Sequence, residues 1–546
     1  MTTTVFTNGR IFCPTDSSDE FATAIVISGD RIEYVGGEKD EVVLQASHSA
    51  TLVDLNGKLV LPGFIDAHVH ILNFGLSLQK LDLMHCKSLS EIQKNIRDYG
   101  TANPLEPRIL CRGWSQSTTE GQTHASAIDE LDPRPIYIEA LDLHSTWCNS
   151  AALEELQVEE IDDPPGGRIH RNADGRPSGV LDEAAQFNIV WPFLDKVASV
   201  EKKMTAIDAA FTAHRQAGYT GLVDMAMDEN NWAALEMYRS QHGEPPFHIA
   251  AHWLIPYSRD DSEICDHIDR AISMHRQFNR QNSPLFCING IKLICDGTVD
   301  GCTAGLLQPY GGCSDLTDPI WPKEALSLAI NQATDAGLQC ALHAIGDRTV
   351  QDAIDCLSQL PSLRECRHRI EHLELTTEED AKRLGDLGIV ASVQPVHSDP
   401  ATFDSWPSLI GPDRCKRAFA YREFFDGGAT LAFGTDAPTA KHLPLPNLFN
   451  ATTRRSALDP DMQETVNPEF ALPLATAVSA ATSGAAFASF SDSFTGRLQA
   501  GLQADLAMLD MHWSPEQLLE ARVCQTWYRG RKVFDIDKQE VTYDSE

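Results

Sequence analysis

The sequence predicts an α/β barrel with an insertion over its mouth and a composite β-sandwich made by both chain ends. Three observations support this fold class. The middle of the chain alternates short apolar runs with amphipathic helical patterns, both ends consist of short strand-like runs and tight turns, and one stretch breaks the alternation. We expect residues 1–61 and 495–546 to form the sandwich and 62–494 the barrel, with the insertion at about 90–200.

The barrel is predicted from the repeated order of strand, loop and helix. Val350, Ala353, Ile354 and Leu357 recur at the spacing of a helix face. Such an alternation is typical of a parallel sheet, whose chemistry lies at the carboxyl ends of the strands. The predicted strands include residues 222–224, 291–294, 340–343, 369–372, 390–393 and 431–434.

Turn dipeptides divide the two chain ends and the insertion. Asn8-Gly9, Asn56-Gly57 and Gly530-Arg531 each separate two strand-like runs, and we predict a β-hairpin at each of them. The dense turn signals at 164–167 and 174–177 mark the insertion.

Composition excludes several classes of partner. The chain has 546 residues, a net charge of −34 and 42% apolar residues. Such an acidic chain repels phosphate backbones and lacks a basic face for anionic membranes, so we expect neither partner. No long apolar run and no secretory leader are visible, and the 14 cysteines form no C-x-x-C pair. A cytoplasmic location is the default expectation.

The strongest local signal is LPGFIDAHVH, residues 61–70. His68 and His70 are two apart on a strand-like run, so both imidazoles point to the same side and can meet one ion. The alternative is a pair of structural histidines within a strand. The partners described next favour the metal site.

Three further ligand-type residues follow predicted strands. His343, His372 and Asp436 each lie at the predicted carboxyl end of a strand. Imidazole and carboxylate together suit Zn²⁺, and Mn²⁺, Fe²⁺ and Co²⁺ stay open. We expect one or two divalent ions.

Lys292 lies inside the apolar run 290–294. A charged lysine is costly to bury there, which leaves two interpretations. One is a lysine of an edge strand with its amine in water. The other is a lysine carboxylated on its amine, which could bridge two metal ions.

These motifs resemble those of the amidohydrolase superfamily, in its large-barrel subgroup (amidohydrolase family 3 type) that includes N-substituted formamide deformylase. The resemblance spans nearly the whole chain in the expected order. The matching segments are 61–70, 144–153, 164–169, 175–183, 290–297, 342–348, 369–375, 390–395, 433–438 and 496–510.

The resemblance implies a distorted TIM (β/α)8 barrel with two metal positions. It places His68 and His70 on one ion and His343 and His372 on a second, with Lys292 as the bridge. It also implies that Asp436 binds metal and moves protons. In the family, the loop after the lysine often reads Asp-Gly-Ser followed by small residues. Here it reads Asp296-Gly297-Thr298-Val299-Asp300, so it departs from that pattern.

The expected activity is hydrolysis of a C–N bond in a small amide, formamide, carbamate or cyclic amide. A metal-bound hydroxide would be the nucleophile, and Asp436 would act as base and then as acid. An isomerase or lyase with a mononuclear site and a non-catalytic scaffold are the alternatives, and a homodimer stays open. The candidate substrate-binding residues are His397, Trp114, His144 and Arg112.

Overall fold

The structure, a computed structural model, describes residues 2–14, 21–119, 121–141, 143–164, 167–361 and 363–538. Pro165 and Gly166 of the predicted turn, and parts of both predicted sandwich segments, lie outside these ranges. No helix in the described ranges is long and apolar enough to cross a membrane.

Eight parallel strands form a nearly closed barrel in the middle of the chain. Each strand pairs in parallel with its neighbour in chain order. The first and last strands meet through a backbone hydrogen bond from the Asp436 amide to the His68 carbonyl, 2.7 Å long. The strands are Phe64–Val69 (β1), Tyr219–Met227 (β2), His248–Leu254 (β3), Phe286–Ile294 (β4), Gln339–Ala344 (β5), Arg369–His372 (β6), Val390–Val393 (β7) and Leu431–Phe433 (β8).

The six strand positions predicted for the barrel are confirmed. Residues on one strand alternate between two buried clusters: Cys340 and Leu342 pack in the large cluster with the outer helices, and Ala341 packs in a smaller one with helix Ala485–Ala488. The other α-helices of the barrel region are Ile71–Ser77, Val200–Gln216, Glu229–His242, Asp261–Gln277, Lys323–Asp335, Asp347–Ser358, Leu363–Cys366, Glu378–Leu387, Trp406–Ile410, Pro412–Cys415, Tyr421–Asp426, Pro444–Thr453 and Leu474–Ser479.

The insertion has a sheet of its own. Its first strand begins at Leu81, ahead of the predicted boundary near 90. Apolar residues of the sheet form a buried cluster that is separate from the barrel core. Its helices are Leu89–Ala102, Ser150–Leu156 and Trp191–Val197. In spatial order the strands are Gly167–Arg171, Pro177–Glu183, Ser145–Cys148, Ile136–Ala140, Ile109–Trp114 and Leu81–Asp82.

The chain ends contribute two further sheets. One has the order Arg31–Gly36, Ala24–Ser28, Thr3–Thr7 and Thr51–Asp54, next to helix Glu41–Ala46. The other has the order Arg531–Asp535, Arg522–Tyr528, Leu506–Asp510, Leu59–Pro62, Arg10–Phe12 and Phe21–Ala22. One apolar cluster joins residues of both sheets, including Phe6, Ile25, Val60 and Met508. The predicted domain boundaries stay predictions.

Two of the three predicted hairpins are wrong. The runs on either side of Asn8-Gly9 belong to different sheets, and so do the runs on either side of Asn56-Gly57. Asn8 and Asn56 do adopt left-handed backbone, with φ of 58° and 50°, so each dipeptide turns the chain as expected. The turn carries the chain from one sheet into the other. The hairpin at Gly530-Arg531 is confirmed.

Candidate metal centre

All six predicted ligand residues lie on the barrel strands or just after them. His68, Lys292, His343 and His372 lie within β1, β4, β5 and β6. His70 follows β1 directly at the start of helix Ile71–Ser77, and Asp436 follows β8. Because parallel strands end at one edge, the barrel brings these side chains together.

His68, His70 and Asp436 form one compact group of potential metal-ligating atoms. Asp436 Oδ1 lies 3.0 Å from His70 Nε2 and 3.3 Å from His68 Nε2. Burial raises the pKa of the Asp436 carboxyl, but His68 and His70 lower it more, so the pKa lies well below its usual range. The carboxylate is therefore ionised at neutral pH, as a metal ligand must be.

A buried ion-pair network lies behind His68. His68 Nδ1 is 2.7 Å from Glu371 Oε2, and Arg369 donates to the same carboxylate and to the Ala67 carbonyl. With an ion bound, a hydrogen bond from Nδ1–H to this carboxylate would leave Nε2, on the Asp436 side, as the ligand atom. Glu371 therefore sets both the tautomer and the ring orientation that a metal ligand needs.

His343 and His372 are neighbours, with ring centroids 4.3 Å apart. Both are 5% exposed, and His343 Nε2 and His372 Nδ1 have no hydrogen-bond partner among the described residues. Burial, and for His372 also the neighbouring His343, lowers both pKa values well below the usual range. Neutral imidazoles with free nitrogen atoms are ready to bind a metal ion.

Lys292 is buried in a central strand. It is 2% exposed, and β4 pairs with β3 on one side and β5 on the other, so the edge-strand interpretation is wrong. Its Nζ has no hydrogen-bond partner within the described residues. Burial lowers the pKa of the amine. An orphaned buried amine is costly unless a bound group or a modification satisfies it.

A second group of potential metal-ligating atoms joins His372 with Glu374 and His397. The resemblance implied that His343 and His372 bind the second ion. The group found here adds Glu374 and His397 as further candidate metal ligands. Three orphaned buried nitrogen atoms, on Lys292, His343 and His372, converge with carboxylates at this edge. The donor set is one that divalent transition metals prefer, and it fits the implied metal.

Two of the four candidate substrate-binding residues reach this centre. His397 lies in the short 3₁₀ segment Pro395–Ser398; its Nδ1 is 3.2 Å from Glu374 and its Nε2 is 3.8 Å from Asp436. Nδ1 of His144, in the insertion, lies 2.6 Å from Oε2 of Glu183. The ring centroids of His144 and His343 are 5.8 Å apart. The insertion therefore contributes to the mouth of the barrel.

The other two candidates pack within the insertion. Arg112 pairs with Asp82 at 2.7 Å, and Trp114 is buried against Trp147 with ring centroids 5.6 Å apart. Across the described residues, neither has a polar or ring contact with the six ligand-type residues. Their part in substrate binding stays a prediction.

Sequence reasoning missed the carboxylates that support the ligands. Glu371, Glu374 and Glu183 hold His68, His397 and His144 respectively. Asp296 accepts hydrogen bonds from the amides of Gly305, Ile345 and Gly346, and it lies 3.6 Å from His343 Nε2. Burial raises the pKa of Asp296 to about 7. Asp296, Glu371 and Glu374 lie within two residues of a predicted strand end, a signal too common to be specific, and no predicted strand lies next to Glu183.

The fold and the site together define a class: α/β-barrel proteins with a histidine-rich, metal-type centre at the carboxyl ends of the strands. Residues 51–534 match the model of the amidohydrolase family, and the chain belongs to that family. Family membership supports metal-dependent hydrolysis as the general activity. The resemblance noted from the sequence motifs is thereby confirmed.

Individual relatives cover nearly the whole chain. Protein LONG AFTER FAR-RED 3 of Arabidopsis thaliana is 30% identical, over 97% of this chain and 91% of that protein. N-substituted formamide deformylase of Arthrobacter pascens is 24% identical, over 94% of this chain and 95% of that protein. A crystal structure of an uncharacterized metal-dependent hydrolase from Pyrococcus horikoshii OT3 has the same fold, with a TM-score of 0.75 at 23% identity, covering 94% of this chain and 98% of that one.

Proposed function

We propose that this protein hydrolyses a C–N bond in a small amide, formamide, carbamate or cyclic amide. One observation carries the proposal: three buried nitrogen atoms, which have no hydrogen-bond partner in the part of the chain that the structure describes, lie with ionised Asp436 at the barrel mouth. The similarity to a deformylase over 94% of the chain supports an amide-type bond.

One or two divalent ions, with Zn²⁺ as the favoured species, would be held by the six ligand residues His68, His70, Lys292, His343, His372 and Asp436. A bound divalent ion lowers the pKa of a coordinated water to about 7 and polarises a carbonyl oxygen. Asp436 would take a proton from the attacking water and deliver it to the leaving nitrogen. His397 and His144 would hold the substrate; their contacts with Asp436 and His343 support this role.

Carboxylation of Lys292 would complete the centre. Its neutral amine nitrogen would attack CO₂ and lose one proton, giving an N-carboxylate in place of the orphaned amine. We expect Lys292→Ala to lose activity, because alanine would offer no carboxylate to help hold the metal. Bicarbonate with a short-chain carboxylic acid should restore part of it, measured as initial rate. Full activity of Lys292→Ala without any additive would contradict this role.

The activity itself is tested with metal-loaded protein and a panel of N-formyl amines, N-acyl amines, carbamates and cyclic amides. We expect one compound class to release amine, or to open its ring, with uptake of one water. The same panel with Asp436→Asn protein serves as the background control. A rearranged or eliminated product with no water added would favour the isomerase or lyase, and a metal-loaded protein inert in every assay would favour the scaffold.

A further inference from the structure

A second cavity lies between the insertion and the barrel helices. Its volume is about 300 Å³, at the lower end of the range for small-molecule sites. It is lined by the end of helix Ile71–Ser77, by insertion strand Ile109–Trp114 and by helix Trp191–Val197. None of the six ligand residues lines it, so this cavity is distinct from the metal centre.

The cations that line this cavity are each paired with a carboxylate. Lys80 lies 2.6 Å from Glu139, and Lys202 lies 2.5 Å from Glu106. Arg108 donates from Nε to Glu155 at 2.9 Å. These pairs leave no free positive charge from the lining residues for a further anion.

Of the carboxylates that line the cavity, Asp195 is the one that takes no part in these ion pairs. It is 8% exposed, and among the described residues it has neither a hydrogen bond nor an ion pair. Burial, together with the nearby Asp228, raises the pKa of its carboxyl to about 7, although Lys203 and Lys80, which form no ion pair with it, lower the pKa by a smaller amount. A buried carboxylate without a partner is costly, and a bound cation would remove that cost.

The remaining walls suit an organic ligand better than a bare metal ion. Leu76, Leu110 and Leu194 line the cavity together with the aromatic residues Tyr99 and Trp191. A single free carboxylate is too few ligands for a divalent cation, which needs several. An ammonium group on an apolar body matches one carboxylate and an apolar wall. The cavity is partly open to solvent.

We propose that this cavity is a second binding site, which takes a small organic cation with an apolar body and pairs its ammonium group with Asp195. The site lies at the far end of the helix that begins next to His70. Its ligand therefore contacts an element of the barrel as well as the insertion.

The test is calorimetric titration of the full-length protein with 2-phenylethylamine, and with 2-phenylethanol as its neutral counterpart. At about pH 8, Asp195 is mostly ionised, and we expect one molecule of the amine to bind saturably at this site. The alcohol should bind more weakly than the amine, by about tenfold or more. Asp195→Asn should weaken amine binding by about tenfold or more, because it removes the charge and keeps the shape.

Two further variants locate the site. Glu201→Gln removes an equal charge from an exposed position outside the cavity and should leave amine affinity unchanged. Leu194→Trp should block the cavity and abolish binding. Absence of saturable amine binding, equal binding of the alcohol, or amine affinity unaffected by Asp195→Asn would overturn the proposal. Asp195→Asn removes an unpaired buried charge, so it should keep the fold and its melting temperature.

Discussion

The backbone of two ligand-type residues is held in the left-handed region. His372 has φ of 75° and Asp436 has φ of 57°, although neither is glycine. Such conformations cost free energy and persist where the surrounding structure enforces them, often at functional sites. Here they turn the chain sharply at the ends of β6 and β8, where both side chains join the centre.

Asp436 provides the most direct test of the chemistry. Asp436→Asn keeps the shape and an acceptor oxygen, but the amide cannot take a proton at neutral pH. We expect turnover to fall by about a hundredfold to ten-thousandfold, with little change in melting temperature. Turnover number and thermal unfolding of the same preparation are the measurements.

The control is Asp404→Asn, which changes an exposed carboxylate that has no assigned role in the centre. It should match the wild type in both measurements. If Asp436→Asn keeps its turnover, or fails to fold, the residue has a structural role instead.

Glu371 tests the support behind the metal ligands. Glu371→Gln loses the charge that fixes the His68 tautomer, so metal affinity should fall by about tenfold to a hundredfold. The melting temperature should also fall, because Arg369 then keeps a buried charge without its carboxylate. Competition with a chromophoric chelator measures the affinity. Glu379→Gln, an exposed site, is the matched control; equal affinities of the two variants would contradict the role.

At the scale of elements, the carboxyl-terminal strands support the segment that enters the barrel. Leu506–Asp510 pairs antiparallel with Leu59–Pro62, which leads directly into β1. Met508 of the late strand lies opposite Val60 of the early one, in the cluster shared by the two terminal sheets. The position of His68 therefore depends on both ends of the chain.

Removal of residues 495–546 tests this dependence. The deletion strips three strands from the mixed sheet and exposes the apolar side chains that packed on them, so we expect loss of solubility and of activity. The soluble fraction on expression and the specific activity are measured. Removal of 539–546 alone, which leaves every strand of the described residues in place, is the control. A soluble, fully active protein without 495–546 would refute the shared sheet.

At the scale of the whole molecule, a bound metal ion would tie together strands from across the barrel. The ligand residues come from both ends of the strand order, β1 and β8, and from β4, β5 and β6 between them. Any ion that binds only the folded state stabilises it by mass action. The metal is thus expected to contribute to folding as well as to chemistry.

We expect protein prepared without chelator to contain one or two divalent ions per chain, measured by elemental analysis. Chelation should lower the melting temperature, and readdition of Zn²⁺ should restore it. Asp436→Asn protein should retain part of its metal. Protein that is consistently free of metal, yet folded and active, would contradict the metal centre.

Local patterns in the sequence were sufficient to locate most of the barrel strands and to nominate six candidate ligand residues at or near the strand ends. Apolar runs that end in a polar residue mark a strand and its carboxyl end, and both signals depend only on neighbours in the chain. The family followed from the same motifs. The third strand, His248–Leu254, was absent from the predicted strands, although its burial is complete over most of its length.

Only the tertiary structure decided which partners each of these residues meets. Whether Asn8-Gly9 forms a hairpin depends on where its strands find partners, and those partners lie in different sheets. The pairing of Glu371 with His68 joins positions 303 residues apart, and the position of Lys292 in a central strand depends on both neighbouring strands. Strand register and barrel closure set these contacts, and neither is a property of local sequence.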